Sequence, residues 1–446
     1  MSHATDSFES PRVSETPALS RSHTLAVLGI ALALRLLVLW ISVTKHPPQW
    51  FFTRGIEMGL LAQSLLSGHG LSSPFGGSTG PTAFIAPVYP ILVAFVFKLF
   101  GQFTTASELV ILSAQIALNL LTVWLIMHIA RQLFSQTAAT LAGLIWACSL
   151  PLVWMPTIFW ETSLSSCLLI GLFALVLQYR RKSQLNAFHW MFLGAYCGFA
   201  ALVNPALLLS VVAVALWLAF TTRKTTFWRP LLAAIAFIIV FSAWPLRNAR
   251  AFHKFIPLRT TVGFELWMGN REGASGFLEE SLFPMFNRTE RDDYKTRGEV
   301  GYSQHKSELA KTYIQAHPAE FLRLTTIRTK RFWTGTGTRN GSPLFAIHAT
   351  VTTFLGAIGL FFLLRSRRFD QAILFILPLL LFPLPYLITH AEFRYRIIID
   401  PLLTIFAAYA VVELCKSFSS RHSLTPAPAP TPSPTATETI AWSPSR

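Results

Sequence analysis

Residues 24–43 read TLAVLGIALALRLLVLWISV, a run in which Arg35 is the one charge. About 20 apolar residues in a helix cross the roughly 30 Å hydrocarbon core of a bilayer. Comparable runs follow at about 108–130, 138–156, 163–179, 186–202, 205–221, 230–245, 346–364, 371–389 and 397–415. The pattern predicts an all-α integral membrane protein of about 10 or 11 transmembrane helices, because helices satisfy every backbone polar group inside lipid. Composition agrees: the 446 residues are 52% hydrophobic and only 13% charged, where a soluble domain carries about 25% charged residues.

The net charge of +16 would suggest nucleic acid in a soluble chain. Here much of the excess lies in short loops. Arg180-Arg181-Lys182, Arg223-Lys224-Arg229 and Arg365-Arg367-Arg368 each sit beside apolar runs, as cytoplasmic loops do. With no zinc-finger spacing and no RNA-binding motif, no nucleic-acid partner is expected. The four cysteines, Cys148, Cys167, Cys197 and Cys415, lie in or at the ends of apolar runs without a CxxC pair. They read as core residues, not a disulfide framework. The first run is too long for a signal-peptide core and no small-residue cleavage site follows it, so it reads as an uncleaved first span.

With the basic loops inside, the loop at about 44–107, the turn around Glu161, the segment 246–345 and the His390–Arg396 turn all fall on the outer face. The apolar run 84–100 would then have both ends outside. It contains Pro87, Pro90 and Lys98, and reads as an interfacial or re-entrant helix. The chain divides into a disordered cytoplasmic N-terminus (1–22), an N-terminal membrane module (23–245) with its first outer loop (44–107), and a large extracytoplasmic region (246–345). C-terminal membrane helices (346–415) and a Pro/Thr-rich disordered cytoplasmic tail (416–446) complete it. Within the large region, Gly301–Gln315 and Pro318–Trp333 have amphipathic spacing. They suit either headgroup contact or packing into a small outer lobe.

Charges at a membrane edge are costly and are candidates for function. Glu57, in RGIEMGLLAQSLLSGHG, could serve as a general base whose pKa burial raises; a salt bridge with Arg54 is the structural alternative. Glu161, in MPTIFWETSL, could share a substrate or divalent cation with it, or simply cap a helix N-terminus. Arg247 and Asn248, in AWPLRNAR, and Arg394 and Arg396, in HAEFRYR, lie where lipid phosphates do. Guanidinium groups grip phosphate through charge-assisted hydrogen bonds, although ordinary headgroup contact would also place them there. His69 and His390 could donate hydrogen bonds or bind a metal, but no HxxxH or HExxH spacing supports a metal site.

These pieces resemble the GT-C superfamily of integral membrane glycosyltransferases over about residues 24–415. The branch is that of protein O-mannosyltransferases, aminoarabinose transferases and galacturonosyltransferases of lipopolysaccharide core. The resemblance rests on an acidic residue in the first outer loop followed by LxxGHGxSSPF, GPTAFIAPVYP and LFG. It continues through ARQLF, ETSL, FAALVNP, WPLRN, FxPLRTxxGFELWMGN, HPAEFLRLTTIRTKRFW and EFRYR with IDP.

It implies Glu57 as catalytic base and Glu161 near the acceptor or a metal. It further implies Arg247 at the donor phosphate, a juxtamembrane helix in the first outer loop, and transfer with inversion. A divalent metal is bound by some relatives; no third ligand is evident here, and the metal is unassigned. Transfer of a monosaccharide from a polyprenyl-phosphate donor to a lipid, glycan or protein acceptor, at the outer face of a bacterial inner membrane among its lipids, is the resulting expectation. A polytopic transporter or lipid flippase, and an O-antigen ligase or polymerase using a diphosphate-linked donor, are the rivals. No internal repeat supports transport.

Overall fold

The computed structural model describes residues 19–222, 228–336 and 343–422. Most of the polar N-terminal segment, Arg223 and Lys224 of the second basic cluster, and the tail from Ser423 lie outside the described residues. The chain begins with α1 (Arg21–Lys45), which leads through α2 (Pro48–Thr53), α3 (Ile56–Leu66) and α4 (Val88–Phe100). Next come α5 (Thr105–Leu133), α6 (Gln136–Cys148), α7 (Leu150–Trp154), α8 (Thr162–Arg181), α9 (Ala187–Val203) and α10 (Leu208–Thr221). Then follow α11 (Trp228–Phe252), α12 (Val262–Gly269), α13 (Arg288–Ala316) and α14 (Pro318–Thr334). The last five are α15 (Pro343–Arg365), α16 (Phe369–Leu381), α17 (Leu384–Ile388), α18 (Phe393–Ile397) and α19 (Asp400–His422). The last helix therefore continues past residue 415, where the tail was expected to begin.

Among the described residues, seven helices are long and apolar enough to cross a membrane, and an eighth if α6 and α7 form one bent span. The chain is an all-α integral membrane protein. The remaining expected spans are present as shorter helices: α9 has 17 residues and α10 has 14. At 1.5 Å per residue, the 13 residues of α4 rise about 20 Å, short of the hydrocarbon core. Small residues let some helices approach closely. A Cβ on Gly194 of α9 would lie 1.9 Å from the Ala233 carbonyl of α11, so only glycine permits that contact.

The break between α6 and α7, a bend of 62°, explains the charge in the middle of α1. Pro151 has no N–H to give the Ala147 carbonyl four residues back, and Ser149 is extended, with ψ of 120°. The carbonyls thus freed inside lipid need donors. Arg35 supplies them: Nη1 donates to Ala147 O at 2.9 Å and Nη2 to Trp146 O at 3.1 Å. Nε donates to Asn119 Oδ1 at 2.7 Å, and the side chain is fully buried. The broken span carries the chain to the Glu161 turn.

The two ends of the bundle differ. At one, Arg180 pairs with Asp370 at 3.5 Å, Arg229 donates to Leu185 O at 2.9 Å and Arg368 to Leu133 O at 2.8 Å. The three basic clusters thus share one end. The 20 residues of α8 separate Arg180 from Glu161 by about 30 Å. At the Glu161 end, a second core joins the first loop to the 260–302 segment through aromatic rings. Phe75 meets Phe84 and Tyr294 with centroids 4.9 and 5.3 Å apart.

Candidate active site

Gly55 joins the first loop to the Glu161 turn. Its φ is +145°, a region open chiefly to glycine, and a Cβ there would lie 2.2 Å from Phe159 O and 2.8 Å from the Trp160 indole nitrogen. Beneath this contact, Phe51 and Phe52 pack on Phe159, each with centroids 5.1 Å away. The close approach brings Glu57, at the start of α3, toward Glu161, the residue before α8.

Neither carboxylate takes the structural alternative open to it. Glu57 has no ion pair with Arg54, whose guanidinium lies instead over Trp50, 4.2 Å from the ring centroid. Glu161 caps none of the first amides of α8. No hydrogen bond or ion pair to another described residue engages the carboxylate of either.

The charge of Arg394 acts on both. Its guanidinium lies 4.3 Å from the Trp160 ring centroid, its Nη2 donates to Tyr395 OH at 3.2 Å, and its Nε is 3.5 Å from Glu392 Oε2. Burial pushes the carboxyls of Glu57 and Glu161 above the usual glutamate range, and the charge of Arg394 partly offsets this at both. Glu280 adds to the upward shift at Glu57, and Arg259 opposes it at Glu161. Burial is the largest single influence on Arg394 and works against its charge, but Tyr395, Glu392 and Glu161 together outweigh it and hold the guanidinium charged.

A second guanidinium completes the cluster. Arg259 pairs with Glu265 at 3.2 Å and feels Tyr386, Glu161 and Tyr395. His390 shares a hydrogen bond of 2.9 Å with Tyr395 OH, and Tyr395 stacks on Tyr386 with centroids 4.2 Å apart. Burial, reinforced by Arg394, Arg328 and Arg259, drives the His390 pKa down to about 3, so the imidazole is neutral and fixed as a polar strut.

Four of the expected positions lie elsewhere. Arg247 is a clamp: Nη1 donates to Thr82 O and Nη2 to Leu71 O, both at 2.6 Å. Two loop carbonyls thus occupy the nitrogens that would grip a phosphate. Asn248 is fully buried and donates to Ile256 O at 3.1 Å. Arg396 is fully buried, paired with Asp400 and donating to Thr352 Oγ1 at 2.8 Å and Thr353 Oγ1 at 3.0 Å. With no exposed surface it offers nothing to a donor. His69 lies beyond the far end of α3 from Glu57, where the chain folds back and its N–H donates to Ser64 O at 3.1 Å.

Arg259, Glu265, Glu392, Tyr386 and Tyr395 join the cluster without having been singled out. The motif fragments PLRTxxGFELW and EFRYR contain four of them, but only position in three dimensions brings them together. Among the described residues no three His, Cys, Asp or Glu side chains gather to hold a metal ion.

Residues 85–245 match the family of dolichyl-phosphate-mannose-protein mannosyltransferases. No curated relative matches the chain. Among solved structures, the oligosaccharyltransferase AglB from Archaeoglobus fulgidus, in complex with an inhibitory peptide and a dolichol-phosphate, superposes with a TM-score of 0.53 at 15% identity. That match covers 90% of this chain and 51% of the other. The apo form of the same oligosaccharyltransferase gives 0.54 at 13% identity over the same shares. The chain thus spans about half the length of these structures. ArnT from Cupriavidus metallidurans aligns with a TM-score of 0.39 at 12% identity, over 89% of this chain and 79% of that one, too loosely to carry an argument. The fold is that of the archaeal oligosaccharyltransferase, and the 85–245 stretch matches the sequence pattern of the dolichyl-phosphate-mannose-protein mannosyltransferases.

Proposed function

We propose that the protein transfers a monosaccharide from a polyprenyl-phosphate donor to a hydroxyl of a lipid, glycan or protein acceptor, at the extracytoplasmic face of a bacterial inner membrane. The observation that carries this reading is an unpaired carboxylate, Glu57, in the field of Arg394 at one edge of a membrane bundle. The dolichol-phosphate bound to the similar oligosaccharyltransferase supports a lipid phosphate as donor, and the positive-inside pattern supports an outward-facing site.

In this mechanism Glu57 accepts the proton of the acceptor hydroxyl. The acceptor oxygen attacks the anomeric carbon as the bond from that carbon to the phosphate oxygen breaks, and attack opposite the leaving group inverts the anomeric centre. Negative charge gathers on the departing polyprenyl phosphate. Arg394, with Arg259 behind it, stabilises that charge; preorganised donors at developing charge are among the largest contributions to catalysis. Glu161 lies within the field of both arginines and orients the acceptor.

The test is turnover by purified full-length protein in lipid. It would be given labelled polyprenyl-phosphate monosaccharides with membrane lipid and protein acceptors, and compared with Glu57→Gln. Loss of a general base costs about 10²–10⁴ in rate, so the variant should transfer label at least a hundredfold more slowly while remaining folded. Turnover by Glu57→Gln at the wild-type rate would remove Glu57 from the mechanism.

A further inference from the structure

The segment 60–81 folds into a cup of about 490 Å³ on the outer side of α3. Serines 64, 67, 72, 73 and 78 line it together with Gln63 and His69, over an apolar floor that includes Leu60 and Pro81. Gly68, Gly70, Gly76, Gly77 and Gly80 all have positive φ, which winds the strip into successive tight turns. Ser64 Oγ is 2.7 Å from Ser72 Oγ and 2.9 Å from Gly70 O, and Thr79 N donates to Ser73 Oγ at 3.0 Å. These bonds hold the rim.

Other polar groups are left open. The side chains of Gln63, His69 and Ser78 are exposed and hydrogen-bond to no described residue. The lining has no Lys, Arg, Asp or Glu. A concavity with free amide, imidazole and hydroxyl groups, apolar patches and no formal charge suits a neutral polyhydroxylated ligand, whose hydroxyls pair with the rim and whose C–H faces rest on the floor.

The cup and the candidate base share α3, which carries Glu57 at its start and Leu60, Gln63 and Ser64 in the lining. Met58, Gly59, Leu61 and Ala62 form the buried side of α3. Glu57, Leu60, Ser64 and Ser67 recur at three- and four-residue spacing, and so lie along one accessible stripe. Seven residues of helix rise about 10 Å from Glu57 to Ser64.

We propose that this cup is a binding subsite for the distal sugars of a glycan acceptor, which it holds while a nearer hydroxyl reaches Glu57. The proposal rests on the transferase reading for the acceptor's role, but the binding itself does not. It makes Gln63 and His69 specificity-determining residues.

Saturation-transfer NMR on full-length protein in lipid nanodiscs, with maltotriose at millimolar concentration as the neutral oligosaccharide probe, tests it. Wild type and Glu57→Gln should both transfer saturation to the sugar ring protons. Each lost hydrogen bond is worth about 0.5–1.5 kcal/mol, so Gln63→Ala/His69→Ala should bind at least about fivefold more weakly while unfolding at the wild-type temperature. No saturation transfer to wild type, or undiminished transfer to the double variant, would overturn the subsite. The two readings fail differently. Maltotriose binding that depends on Gln63 and His69, in a protein that transfers sugar from no polyprenyl-phosphate donor, breaks the transferase reading alone. Sugar transfer without maltotriose binding breaks the subsite alone.

Discussion

Arg394 and Arg396 stand two residues apart in one short helix, yet they sit in opposite electrostatic settings. Arg396 is fully buried with Asp400, and that carboxylate is also 3.4 Å from His348 Nε2, whose Nδ1 lies 2.7 Å from Ser149 Oγ. Carboxylate, guanidinium and imidazole there answer one another and link α15 and α19 to the break before α7. Around Arg394 the count does not close. Glu392 is its ion-pair partner, while Glu57 and Glu161 feel its charge without touching it. A closed set of charges holds helices together; an open set at the bilayer edge has capacity left for a ligand.

The comparison breaks most visibly at Asp400. Removing one partner of a buried ion pair costs about 3–5 kcal/mol because the other charge is left uncompensated. Asp400→Asn should therefore lower the thermal unfolding temperature sharply and reduce folded yield, while the fraction that folds keeps its transfer rate per molecule. An Asp400→Asn protein as stable as wild type would show that the Arg396 cluster is not closed in the sense described. The reverse pattern is expected at Arg394. Arg394→Ala should unfold near the wild-type temperature and lose about 10²–10³ in turnover, the usual cost of removing one preorganised donor to a developing anion. Arg394→Lys should recover only part of it, because a point charge does not reproduce a planar fork.

How much of this was legible follows the same division. Apolar runs announced the bundle because a bilayer imposes length and composition directly on sequence. The short α4 was legible from Pro87, Pro90 and the orientation of its neighbours. Arg35 was visible as a charge in a span, but its partners were not. They are backbone carbonyls, and which carbonyls are free depends on a proline in another helix. Glu57, Glu161 and Arg394 stood out in sequence because a charge at a membrane edge is rare, and the fold puts both carboxylates in the field of that guanidinium. Arg247 and Arg396 looked the same in sequence and proved to be internal fasteners, since what a guanidinium contacts is decided by carbonyls distant in the chain. Arg259 was passed over for the complementary reason: in a long polar segment one more arginine carries no signal until the fold sets it beside Glu161.

The finest test of the open cluster is its titration. Glu57 must be ionised to take a proton, so kcat/KM should rise with pH along an acidic limb. Because burial raises the Glu57 pKa, that limb should lie above the ordinary glutamate value of about 4.3. Arg394 acts in the opposite direction, its positive charge favouring the carboxylate. Taking that charge away must therefore raise the Glu57 pKa further and move the limb to higher pH. Arg394→Gln should show this as a small shift, because burial is the larger effect and the two groups do not touch. The position of the limb is independent of the height of the rate, so the shift is readable even in a slow variant. An unmoved limb would mean that Arg394 acts on the donor phosphate without electrostatically coupling to the base. A limb moved to lower pH would mean that the titrating group is not a carboxylate facing that guanidinium.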